Sequence, residues 1–85
     1  MDSRITELAT IRTTVPLKGA DVFDDTLVFD LPAGSEGTVV YVFADEKAFE
    51  VEFLVWPEPD KKDAFHSVQI PVERDQCELL WAAPA

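Results

Sequence analysis

The chain has 85 residues, 17 Asp+Glu against 7 Lys+Arg, and a formal net charge of −10. This length allows a single domain, and 47% apolar residues are too many for a disordered acidic tail. The seven basic residues Arg4, Arg12, Lys18, Lys47, Lys61, Lys62 and Arg74 are scattered and form no stripe, which argues against direct nucleic-acid binding.

So small a domain must be held together by packing. Cys77 is the only cysteine, so no disulfide forms within the chain. The longest apolar runs, residues 39–44 and 53–56, fall far below the ~18 residues of a membrane span. The start, Met1-Asp2-Ser3-Arg4, has no apolar signal core. A cytoplasmic location is the expectation, consistent with the lone thiol. The ordinary reading of the acidity is solubility; its functional reading is attraction to a basic protein.

In chain order, residues 8–15 read as a first strand that Pro16 ends. Residues 18–33 form a long excursion, acidic at Asp21, Asp24, Asp25 and Asp30 and apolar at Val22, Phe23, Leu27, Val28 and Phe29. A short strand or a helical turn is expected within it, with a turn at residues 31–34. Residues 37–43 and 48–56 are two strands joined by residues 44–47, and form the clearest unit. In the second, Phe49, Val51 and Phe53 alternate with Ala48, Glu50 and Glu52, the pattern of a half-buried antiparallel strand. Residues 57–63 carry two prolines and read as an exposed loop. Residues 65–70 form a strand that Pro71 stops, residues 72–76 one 3₁₀ or helical turn, residues 77–81 a short final strand, and residues 82–85 a frayed end.

Five short strands, an excursion after the first and a one-turn element before the last predict an all-β, SH3-like barrel spanning residues 1–85. Exposed strand edges would permit a homodimer.

The residues Gly34-Ser35-Glu36-Gly37-Thr38-Val39-Val40, followed by Ala48-Phe49-Glu50-Val51-Glu52-Phe53, resemble domain-of-unknown-function family 4926, a group of small bacterial proteins. The resemblance implies an SH3-like barrel with a glycine-led second strand. It implies no activity and carries no catalytic residue. The excursion and residues 56–64 are longer than the resemblance leads one to expect.

Little in the sequence points to catalysis. His66 is the only histidine, which excludes a two-histidine dyad and a His-rich metal site. A Cys77–His66 nucleophile–base couple is the sharpest enzymatic reading; the ordinary one is a half-buried strand histidine and a small core filler. The four aspartates could ligate a divalent cation but lack the glycine and closing glutamate of an EF-hand, so a solvated acidic loop accounts for them. Glu50 and Glu52 stand ~6.5–7 Å apart along one strand, a spacing also met between glycosidase carboxylates; alternation alone explains it. Gly34 and Gly37 match no phosphate-cradling motif, and neither a metal nor a cofactor is assigned.

The aromatic set Phe43, Phe49, Phe53, Trp56, Phe65 and Trp81 exceeds the needs of a small core. Phe23 and Phe29 lie in the excursion, where apolar side chains must cover the barrel or meet a partner. The expectation is a non-enzymatic module that binds a basic protein through Asp21, Phe23, Asp24, Asp25, Phe29, Asp30, Glu50 and Glu52. An antitoxin or immunity-type inhibitor is its concrete form. The alternatives are a nucleic-acid mimic and a small metal-binding protein.

Overall fold

A computed structural model describes residues 4–83. The readings of the chain start and of the frayed end fall in part on residues 1–3 and 84–85, outside the described residues. The described residues form seven strands: β1 (Thr10–Thr13), β2 (Leu17–Ala20), β3 (Val28–Leu31), β4 (Glu36–Val42), β5 (Ala48–Val55), β6 (His66–Glu73) and β7 (Cys77–Trp81). A 3₁₀ turn, Arg74–Gln76, directly precedes β7.

Five strands make one antiparallel sheet in the order β6-β5-β4-β1-β7, and β2 and β3 pair as a separate hairpin. The all-β class, the antiparallel pairing and the one-turn element before the last strand are as expected. The barrel, however, is not closed: β6 and β7 are opposite edges of the sheet and do not pair. The hairpin covers the open side instead. Leu17, Phe29 and Leu31 pack on a core whose largest buried members are Phe49, Phe53, Ile11 and Val39. β5 supplies Phe49, Val51 and Phe53 to this core and turns Glu50 and Glu52 to the opposite face, as its alternation dictates.

The main departures from the sequence reading have physical causes. The first strand starts at Thr10, not residue 8, because Leu8 adopts a left-handed conformation (φ 70°) that breaks the extended chain. β6 runs through Pro71 to Glu73. Proline is tolerated because β6 is an edge strand and the Asp21–Val68 bridge on its outer side stops short of residue 71. The excursion forms two strands where one short strand or a helical turn was expected; the segment Lys18-Gly19-Ala20 has little strand propensity and is extended by pairing with β3.

β4 carries a bulge between Val39 and Tyr41. It leaves Val40 and Tyr41 both exposed and returns Val42 to a position opposite Phe49. A bulge adds local twist and helps curl the sheet over its core. At Gly37 a Cβ would stand 2.7 Å from Val51 Cγ1 and 2.9 Å from the Glu52 carbonyl oxygen, so the approach of β4 to β5 requires glycine. The β4–β5 connection is tied to the 3₁₀ turn by the Arg74 guanidinium, which donates to the Glu46 carbonyl at 2.6 and 2.8 Å and lies 5.3 Å from the Phe49 ring centre. Among the described residues no helix is long and apolar enough to cross a membrane.

Candidate functional site

The β2–β3 hairpin presents the most exposed large apolar side chain among the described residues, on a well-bonded acidic loop. Asp21 directly follows β2 and is only 8% exposed. Its Oδ1 accepts the backbone N–H groups of Phe23 (2.7 Å) and Asp24 (3.0 Å), and its Oδ2 lies 2.9 Å from His66 Nδ1. An ionised carboxylate can only accept, so this ring nitrogen carries the hydrogen. The backbone reinforces the link: Asp21 N–H donates to the Leu27 carbonyl, Val22 N–H donates to the Ser67 carbonyl, and Asp21 bridges to Val68. Asp24 closes the loop, its Oδ1 accepting both the backbone N–H (3.0 Å) and the hydroxyl (2.6 Å) of Thr26. The His66 ring also packs against Phe29 at 5.1 Å between centroids.

The Phe23 amide, more than any other contact, holds the Asp21 carboxyl below the usual carboxylate range; burial opposes it, while His66 and the Asp24 amide add to it. A carboxyl whose folded-state pKa is depressed stabilises the fold fully above its unfolded value, about 3.9 for aspartate, and that stabilisation is lost as pH falls through the folded value. Acidification below about pH 4 should therefore progressively loosen the hairpin from β6. Backbone amide exchange at Val22 and Asp24 will accelerate steeply in the native protein, after correction for intrinsic rates, and far less in Asp21→Asn. Equal acid responses in the two proteins would contradict this role of Asp21.

With the N–H groups of Val22, Phe23, Asp24, Thr26 and Leu27 all bonded, the tip leaves Phe23 93% exposed, flanked by exposed Val22, Leu27 and Val28. Asp25 and Asp30 are also exposed, the latter 3.5 Å from Lys18 Nζ. The aspartates do not converge: Asp21 faces His66, Asp24 faces Thr26 and Asp30 faces Lys18. Among the described residues no three His, Cys, Asp or Glu side chains gather in a metal-binding arrangement.

The eight residues singled out in the sequence separate into two groups. Asp21, Phe23, Asp24, Asp25, Phe29 and Asp30 belong to the hairpin, which packs on the core face of the sheet. Glu50 and Glu52 are half-buried on the other face, where Glu52 Oε2 accepts a hydrogen bond from the Ser67 hydroxyl at 2.8 Å. Phe29 is half-buried and works from within, whereas Phe23 faces solvent.

The Cys77–His66 couple does not form. Cys77 Sγ sits 3.7 Å from the carbonyl of Glu73, the last residue of β6, and His66 is the first. A strand of that length separates them by roughly 20 Å at the usual rise per residue. Burial also pushes the Cys77 thiol up, opposing formation of the nucleophilic thiolate.

Sequence reasoning missed His66 as the anchor of the excursion. The signal available was one histidine opening a strand beside apolar residues, with no partner in sequence range. It also passed over the Trp56–Phe65 pair, whose ring centres are 5.8 Å apart just before β6, with Trp56 Nε1–H donating to the Lys62 carbonyl at 3.1 Å. No protein-family model, no curated protein and no solved structure matches the chain.

Proposed function

We propose that this protein is a non-enzymatic interaction module that binds a basic protein partner through the tip of its β2–β3 hairpin. The observation that carries the reading is the exposed Phe23 on a loop whose backbone is pinned by Asp21 and His66. A pinned loop loses little conformational freedom on binding, and aromatic side chains serve as anchors at interfaces. Asp24 and Asp25 directly follow that anchor in the chain and are exposed, and Asp30 stands farther along β3 beside Lys18; negative charge at the tip steers a basic partner and suppresses acidic ones. An antitoxin or immunity-type inhibitor of a basic toxin is the concrete form of this function, in keeping with the resemblance to small bacterial SH3-like proteins. A cytoplasmic setting fits the single thiol. A protein partner accounts for the apolar tip better than mimicry of nucleic acid, which calls for carboxylates and no aromatic anchor.

Capture from native lysate in low and high salt tests this reading. The native protein should retain a basic protein that high salt releases. Phe23→Ser should lose it while unfolding within about 0.5 kcal/mol of the native protein, as an exposed substitution should. Asp24→Asn/Asp25→Asn should weaken capture mainly at low salt. A salt-insensitive set of bound proteins, or equal capture by Phe23→Ser, would overturn the proposal.

A further inference from the structure

The outer face of the sheet, opposite the hairpin, carries a groove of about 290 Å³ between Thr10, Glu36, Thr38, Glu52, Leu54 and Trp56. Its apolar wall is fixed. The Trp56 indole is 41% exposed yet held by its bond to the Lys62 carbonyl and by the Phe65 ring, and Leu54 is exposed beside it. Its acidic wall is uncompensated. Ser67 orients Glu52 through one carboxylate oxygen. The other oxygen, and the carboxylate of Glu36, have no hydrogen-bond or ion-pair partner among the described residues. Arg12 stands opposite Glu36 in register but is committed to Glu78 at 2.6 Å.

We infer that this groove receives an arginine side chain of a basic polypeptide. The guanidinium is flat, so it can stack on an indole face while offering paired N–H donors to a carboxylate. Lysine supplies the charge without the planar stack. A neutral side chain leaves both carboxylates uncompensated in a molecule of net charge −10. A metal ion lacks a convergent ligand set here. The inference extends the reading of a basic partner to a second surface, independent of Phe23.

The test is a ¹⁵N–¹H chemical-shift titration of the full chain with acetyl-Gly-Arg-Gly-amide, and with the Lys and Gln analogues as controls. The arginine probe should give saturable shifts at the Trp56 indole N–H and at the Thr38 and Glu52 amides. The lysine probe should bind more weakly and the glutamine probe should give no saturation. Glu36→Gln/Glu52→Gln should raise the dissociation constant about tenfold, equivalent to ~1.4 kcal/mol, as should Trp56→Ala. Glu36→Gln alone, at an exposed position, keeps the test valid if the other variants fold poorly. Phe23→Ser should leave the titration unchanged. Equal shifts from the glutamine probe, or shifts confined to the hairpin, would overturn the groove. Loss of lysate capture in Phe23→Ser would then still stand for the hairpin, so the two readings fail separately.

Discussion

Phe49→Ala should destabilise the protein by about 3–5 kcal/mol, the usual cost of truncating a fully buried phenylalanine. Phe49 is 0% exposed and lies between Val42 of β4 and Val72 of β6, so its loss opens a cavity across three strands. It also removes the ring over which the Arg74 guanidinium sits, and with it one of the contacts that tie the β4–β5 connection to the 3₁₀ turn. A domain of this size has roughly 4–13 kcal/mol of stability in all, so the variant approaches the point of unfolding. Thermal denaturation should show a Tm at least about 12 °C below that of the native protein. A fall of only a few degrees would mean that the neighbouring strands collapse into the space. Phe23, identical in chemistry and 93% exposed, is the internal control.

Gly19→Val should detach the hairpin from the sheet. A Cβ at position 19 would stand 2.5 Å from Ile70 Cγ1, 2.6 Å from Ile70 Cδ1 and 2.7 Å from Val68 Cγ1. Val68 is fully buried and Ile70 nearly so, so neither has free space to move into and β2 must rise. Overpacking of this kind costs typically about 1–3 kcal/mol. The specific sign is loss of the Asp21–His66 contact, read as a change in the His66 ring resonances and as faster exchange of the Val22 amide, whose partner is the Ser67 carbonyl. Adding Ile70→Ala should relieve part of the clash, so the double variant should be more stable than the sum of the single effects. Strict additivity would show that the hairpin seats elsewhere. Because the tip is pinned through this seat, Gly19→Val should also weaken partner capture although position 19 touches no partner.

The two substitutions mark two levels at which the chain was legible. The alternation of Phe49, Val51 and Phe53 with Ala48, Glu50 and Glu52 is a local property, set by the two-residue period of a strand. It led directly to β5, to its hairpin with β4 and to the core. The final strand, residues 77–81, was legible in the same way, and so was the turn before it. The hairpin in the excursion was not, because its strands owe their extension to pairing and to contact with β6 rather than to their own pattern. Pro71 misled for a related reason: whether a proline ends a strand depends on whether its nitrogen faces a neighbour, and only the strand order settles that.

By itself, then, the sequence determined the all-β class, the amphipathic central strands, the isolation of Cys77 and the excess of acidic and aromatic side chains, because these follow from composition and short-range periodicity. Tertiary structure alone decided that the barrel stays open, that Asp21 turns inward to His66 while Phe23 turns outward, and that Glu50 and Glu52 lie on the face opposite the hairpin. Each of these depends on a contact between residues far apart in the chain, such as Asp21 with His66 or Gly19 with Ile70. Such contacts arise from close packing of distant segments, which no local pattern encodes.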